Sequence, residues 1–239
     1  MSQNMSRRFA IVAGLVAALA LGLPASSDAA DAAKVKIGII GAGKVGSALG
    51  TVWAKAGHPV MFSSRHLDED KALAAQVGAN ASAGTPQQAA AFGDVIVMSV
   101  PYSALPDLGK SLAAELKGKV IIDACNPFPA RDGEIANWAR EKGAGLASAE
   151  LLPGTRIVRA FNAVGAARMA TAHETPGQIG LPIAGDDRQA IEIASTLIRE
   201  IGYEPVLIGG LEMGKHLMPG TALAGERSPE EVRKVAAGL

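Results

Sequence analysis

The chain has 239 residues, no formal net charge at neutral pH, one cysteine and a hydrophobic fraction of 49%. That length and apolar content suffice for one domain with its own core, or for a main domain with a small partner. The lack of a basic excess argues against nucleic-acid binding, which needs cations to neutralise phosphates, and a single cysteine excludes an internal disulfide or a cysteine-based zinc cluster.

Residues 1–30 read as an export signal. Arg7 and Arg8 precede an uncharged apolar run from Phe9 to Leu23, and small residues follow from Pro24 to Ala30. The apolar run is shorter than the roughly 20 residues of a membrane-spanning helix, so a cleaved signal is expected and a retained membrane anchor is the alternative. Ser6-Arg7-Arg8 resembles the start of a twin-arginine signal, although Ala10 stands where that motif usually has Phe. The expected location is therefore periplasmic or exported.

The first strand is expected over Val35 to Ile40, ending on Gly41-Ala42-Gly43-Lys44-Val45-Gly46. A helix from Lys44 to Ala56 follows at once. This Gly-x-Gly-x-x-Gly junction suits a dinucleotide pyrophosphate: Gly41 permits the sharp turn, Gly43 lets the backbone approach the phosphates, and Gly46 lets the helix pack on its strand. The second strand, Val60 to Ser63, runs into Ser64-Arg65. An acid at that place would bind the ribose hydroxyls of NAD. Two hydroxyls and an arginine instead suit a 2′-phosphate, which Ser63 or Ser64 can donate to and Arg65 can pair with. The pattern therefore points to NADP; the plain alternative is a polar strand end with a solvated arginine. His66 and Lys71 add positive charge nearby, and His58 reads as a turn residue.

Asp68, Glu69 and Asp70 suit the first turn of a helix reaching Val77. A short strand is expected over Asn80 to Ala83, then a helix opened by the capping box Thr85-Pro86-Gln87-Gln88. Asp94 to Val100 reads as a buried strand broken by Pro101-Tyr102, and Val120 to Ala124 as another, ending in Cys125-Asn126-Pro127. The carboxyl ends of such strands open into the ligand crevice, which places Val100, Pro101 and Tyr102 as candidate lining on the nicotinamide side; Tyr102 could equally be a surface residue that starts a helix running through Leu116. Cys125 has no legible base and reads as a small residue beside the cofactor.

Helices are expected over Asp132 to Lys142 and Ser148 to Leu152, then a strand over Thr155 to Ala160. Beyond a loop around Thr171 to Gly180, the pattern gives a strand over Leu181 to Ala184, a helix from Asp187 to Ile201, a strand over Val206 to Ile208 and a helical segment over Leu211 to Leu217. Ser228-Pro229-Glu230-Glu231 opens a last short helix. Asp186-Asp187 is explained by a helix N-cap without a metal. The fold class is α/β: a doubly wound parallel sheet over residues 35–160 that binds NADP, with a small C-terminal α/β part over residues 161–239.

Several segments together carry a resemblance. They are Gly38 to Gly46, Ser63-Ser64-Arg65, Val97-Met98-Ser99-Val100-Pro101, Ile121 to Pro127, Val158-Arg159-Ala160-Phe161-Asn162 and Ile183 to Asp187. In them the chain resembles the F420-dependent NADP oxidoreductases and the related reductase domain of the STEAP metalloreductases. The resemblance implies hydride transfer between NADP(H) and a deazaflavin or flavin, FMN or FAD, stacked on the nicotinamide. By family position Ala42 to Val45 would contact the pyrophosphate and Ser64-Arg65 the 2′-phosphate. Val100, Asn126 and Ala160 would lie near the nicotinamide, with residues 161–239 completing the acceptor site. No acid–base or metal-ligating residue is nominated, because the rings carry the chemistry and the protein positions them; His173 and His216 read as structural or exposed. The expected partner is a small-molecule hydride acceptor, with a homodimer left open. Two alternatives remain: a non-catalytic NADP-binding redox sensor or scaffold, and an imine reductase resembling pyrroline-5-carboxylate reductase, against which the short C-terminal half argues.

Overall fold

A computed structural model describes residues 34–239; the expected export signal lies outside the described residues. The order of elements is β1 (Ile37–Ile40), α1 (Lys44–Lys55), β2 (Val60–Ser63), α2 (Leu67–Val77), β3 (Ala81–Ala83), α3 (Pro86–Phe92) and β4 (Val95–Met98). Then come α4 (Leu105–Ser111), α5 (Ala113–Leu116), β5 (Val120–Asp123), α6 (Pro129–Asp132), α7 (Glu134–Lys142), α8 (Ala144–Leu151) and β6 (Arg156–Arg159). The chain finishes with α9 (Ala166–Met169), β7 (Ile179–Gly185), α10 (Arg188–Glu200), β8 (Tyr203–Leu207), a 3-10 segment (Leu211–Leu217) and α11 (Pro229–Ala236).

The strands form one eight-stranded sheet in the order β3-β2-β1-β4-β5-β6-β7-β8. β1 through β6 pair in parallel, β7 joins β6 antiparallel, and β8 is parallel to β7. This is the doubly wound α/β arrangement. The chain leaves β1 in one direction for β2 and β3, then crosses back to β4 on its other side, so the carboxyl ends of β1 and β4 diverge and open a crevice.

β1 and β4 are buried at every position and carry no polar side chain, because both faces of the sheet are covered. Ile37, Ile39, Phe62, Val97 and Ile122 pack with Trp53 of α1 and with Ala194, Leu197 and Ile198 of α10. Ile40, Ile96, Met98 and Ile121 face the other way, toward Leu105 of α4, Leu116 of α5, Ala139 of α7 and Ala147 of α8. Each fully buried aliphatic or aromatic side chain contributes about 1.5–3 kcal/mol.

The C-terminal segment extends this same sheet. β7 pairs with β6 only through Val158↔Gly185 and Arg159↔Ala184. The remainder of β7 therefore lies outside that pairing and takes β8 as its partner over Ile179 to Ile183. Both strands start earlier than the apolar pattern indicates, because Ile179 and Tyr203 are buried at their first positions. The helix expected through Leu116 is divided into a 3-10 turn, α4 and α5, with Leu112 at the break in a non-helical conformation. α8 is a full turn longer than expected at its N-terminus, where Gly145 sits against the Leu211 carbonyl and weakens the helical signal. Among the described residues no helix is long and apolar enough to cross a membrane.

Candidate active site

The glycine turn is clamped from both neighbouring strands. Gly41 has φ +101°, a conformation that a side chain would strain. Its N–H and that of Ala42 both donate to the Ser63 carbonyl at the end of β2, at 2.9 and 3.0 Å. From the other side the Ser99 hydroxyl, just beyond β4, donates to the Gly41 carbonyl at 2.8 Å. Gly46 is buried directly against that carbonyl and against Ser99 Oγ, leaving no room for a Cβ. α1 then begins with Gly43 as its N-cap, with no side-chain cap and no acid in the first turn. Its first N–H groups and dipole end are left to an anion.

Above this turn lies a cavity of about 510 Å³. Of the residues nominated from sequence, Gly41, Ala42, Gly43, Ser64, Arg65, Val100 and Pro101 line it. Lys44 is exposed at the start of α1, Val45 is half-buried, and Gly46 lies beneath the turn. Ser63 is fully buried and spends its hydroxyl proton on the Ile39 carbonyl at 2.7 Å. Of the two candidate phosphate donors, only Ser64 therefore faces the cavity. Its Oγ accepts from the His66 N–H at 3.0 Å, which orients the oxygen and leaves its own proton to donate. Arg65 is exposed and forms no ion pair among the described residues. Lys71 pairs with Asp68 and does not line the cavity.

Asn126 and Ala160 lie outside this cavity, at the carboxyl ends of β5 and β6. There Arg159 and Asp123 form a fully buried ion pair, and Arg159 also donates to the Cys125 carbonyl at 3.1 Å. The Asn162 amide donates to the same carbonyl at 3.1 Å, while Asn126 donates to the Asn162 carbonyl at 2.9 Å. Between Ala160 and Asn162 stands Phe161 with φ +69°, the one non-glycine residue in left-handed conformation among the described residues. Its ring is held edge-on between Trp53 and Tyr203, with centroids 6.0 and 5.9 Å away. The aromatic packing over-determines the strained backbone, and the turn brings Asn162 back toward β5.

Two side chains differ from their sequence reading. Tyr102 is neither nicotinamide lining nor a surface residue; it is fully buried, its hydroxyl hydrogen-bonded to the Ala144 carbonyl and to Ser148. Burial, reinforced by Asp123, pushes its phenol up, out of the range of acid–base use. His58 is a buried bridge rather than a simple turn residue: Nδ1 meets the Val35 carbonyl at 3.0 Å and Nε2 the Glu200 carboxylate at 2.5 Å. Cys125 is buried, and burial followed by the nearby Asp123 raises its thiol, so it is no nucleophile. Asp187 caps α10 through the Ala190 N–H at 2.7 Å, and Asp186 accepts from the Leu211 N–H at 2.9 Å. Burial, then Lys215, lowers the half-buried His216, and His173 lines a separate cavity beside α1 and Leu73. No group of three potential metal ligands occurs among the described residues.

Sequence reasoning overlooked Ser99, Asp132 and Asn162 as site residues. Ser99 carried a legible signal, a hydroxyl ending an otherwise apolar strand; Asn162 bonds the segment after β5, and Asp132 joins its neighbours Phe128 and Arg131 to Ser103, 29 residues earlier.

The arrangement, a nucleotide-sized cavity over a glycine turn and two polar strand ends beside it, has known relatives. The family model described as NADP oxidoreductase, coenzyme F420-dependent, matches residues 36–127. An F420-dependent NADP reductase from Methanothermobacter thermautotrophicus is 31% identical over 194 residues, covering 74% of this chain and 82% of that protein. Metalloreductase STEAP3 from Rattus norvegicus is 29% identical over 185 residues, covering 76% of this chain but 35% of that longer protein. Among solved structures, a hypothetical protein from Sinorhizobium meliloti superposes with a TM-score of 0.70 at 27% identity, covering 82% of this chain and 95% of that one. The chain belongs to the F420-dependent NADP oxidoreductase family.

Proposed function

We propose that this protein binds NADP(H) along the crevice between β1 and β4 and transfers hydride between its nicotinamide and coenzyme F420 or a flavin. The observation that carries the nucleotide assignment is the end of β2. Ser64 and Arg65, with no acid at that strand end, line the cavity floored by Gly41 to Gly43. A hydroxyl donor beside an unpaired guanidinium suits a dianionic 2′-phosphate.

The α1 N-terminus and the backbone of Gly41 to Gly43 would hold the pyrophosphate. Val100 and Pro101 would bound the next part of the crevice, and Asn126 and Ala160 the nicotinamide end. The bound dinucleotide supplies a transferable hydride at the ring. The residues at the strand ends orient that ring and exclude water, and no side-chain proton transfer is required. The buried, neutral Cys125 thiol fits such a site, because it does not compete as a nucleophile.

The test is a cofactor-exchange assay on the mature protein. NADPH with F420, FMN or FAD should be oxidised with one of these acceptors, followed by loss of NADPH absorbance. Tight NADP binding with no turnover on any acceptor would sink the enzyme reading in favour of a redox sensor or scaffold. We further infer export through residues 1–30, with the nucleotide loaded in the cytoplasm. Replacing Arg7 and Arg8 by Lys should retain the protein inside the cell, and undiminished export would refute a twin-arginine route.

A further inference from the structure

Next to Asn126, which the proposed function puts at the nicotinamide end of the crevice, the segment after β5 builds a surface that none of the proposed nucleotide contacts uses. Phe128 leaves 39% of its area exposed, unlike most large apolar residues of the described chain. Its ring is covered by the Arg131 guanidinium, 5.0 Å from the centroid. Arg131 is fixed in turn: it donates to both carboxylate oxygens of Asp132, at 2.9 and 2.7 Å, and to the Asn126 carbonyl at 2.8 Å.

Asp132 anchors the assembly. Its side chain is fully shielded and also accepts from the Phe128 N–H at 3.0 Å and the Ser103 hydroxyl at 3.2 Å. Ser103 lines the dinucleotide cavity. One carboxylate thus ties the exposed ring to both the cavity wall and the carbonyl of Asn126. An exposed apolar ring held this rigidly has lost the freedom it would have on an ordinary surface, so a ligand that stacks there orders little more on binding. Arg140 donates to the Pro127 carbonyl at 3.3 Å and has no carboxylate partner among the described residues, leaving a free cation on the same rim.

We propose that Phe128, backed by Arg131, is the wall on which a planar hydride acceptor stacks, and that Arg140 receives the acceptor's phosphate. The inference rests on the hydride-transfer reading above and names the acceptor class within it: a flat heteroaromatic ring bearing a phosphate-containing tail. A small aliphatic imine or carbonyl compound would gain nothing from such a wall.

The test is direct binding to the NADP-loaded, full-length protein, titrating FMN, F420 and phosphate-free riboflavin and following their fluorescence. Phe128→Ala should weaken FMN or F420 binding at least about fivefold, the loss of one aromatic stacking contact, and Phe128→Tyr should restore it, with NADP affinity unchanged in both. Arg140→Ala should weaken FMN while leaving riboflavin as it was. Undiminished acceptor binding by Phe128→Ala, or an equal loss of NADP affinity, overturns the inference and leaves the hydride-transfer reading standing. A wild-type protein that binds neither FMN nor F420 overturns both.

Discussion

Asp123 and Arg159 face each other in register on adjacent parallel strands, joined by a 2.6 Å bond between side chains that solvent does not reach. The stem of Arg159 lies against Gly214 of the 3-10 segment and Gly145 of α8, so the C-terminal segment closes directly over the pair. Taking two charges from water costs about as much as their attraction returns, but leaving one of them alone is expensive. Asp123→Ala should therefore destabilise the protein by about 3–5 kcal/mol, while the apolar double replacement Asp123→Leu with Arg159→Met should cost less than the single one. Denaturant unfolding of the cycle measures this; additive losses would show that the pair does not act as a unit.

At the other end of the crevice, Arg65 offers a charge with no competing partner. Arg65→Ala should weaken NADP binding by about 1.5–3 kcal/mol, the range for a bond to a charged group, and should leave NAD nearly unaffected. Titration with both nucleotides decides it. Equal losses would return Arg65 to the status of a solvated strand-end residue.

Ser99→Ala removes the hydroxyl that holds the Gly41 carbonyl from β4. NADP affinity should fall by about 1 kcal/mol, the net worth of one hydrogen bond, because the turn then relies on Ser63 alone. A lowered melting temperature with unchanged affinity would show that the bond serves the fold and not the site.

Much of this architecture is legible locally. The glycine turn, the capping boxes at Thr85 and Ser228 and the Asp187 cap each rest on residues within a few positions of one another, and each stands in the structure. What escaped were features set by distance in the chain. Tyr102 reads as crevice lining or a helix start, and His58 as a turn residue, until Ser148 and Glu200 arrive, 46 and 142 residues away, to satisfy them in the interior. The role of Asp132 depends on Ser103, 29 residues earlier. The strand starts at Ile179 and Tyr203 are set by pairing with each other, which no periodicity in either segment records.

Asp132 also carries a pH signature. Burial works against its charge, but the bonds from Arg131, Phe128 and Ser103 prevail and hold its carboxyl below the ordinary carboxylate range. The unfolded chain then binds the proton more readily than the folded one. The stability due to this group is present above about pH 4, the ordinary aspartate value, and is lost as the pH falls through the lower folded value. Asp132→Asn should lower stability at neutral pH and flatten the acid limb of the stability profile. An unchanged slope below about pH 4 would contradict the assignment.

Phe161 makes the sharpest test of strain. A left-handed backbone costs an L-residue roughly 1–2 kcal/mol and costs glycine almost nothing. Ordinarily glycine is less stable than alanine by about 0.5–1 kcal/mol because of the freedom it gains on unfolding. At Phe161 the order should reverse. Both Phe161→Ala and Phe161→Gly lose the contacts to Trp53 and Tyr203, a cost of about 3–5 kcal/mol for a buried phenylalanine. Only the glycine variant also relieves the φ of +69°. Phe161→Gly should thus unfold at higher denaturant than Phe161→Ala. The same comparison bears on the site: the turn at Phe161 sets where Asn162 reaches the Cys125 carbonyl. The glycine variant keeps that backbone accessible without holding it, so its nucleotide turnover should fall more than its stability. Were alanine the more stable of the two, the left-handed turn would not be the source of strain assigned to it here.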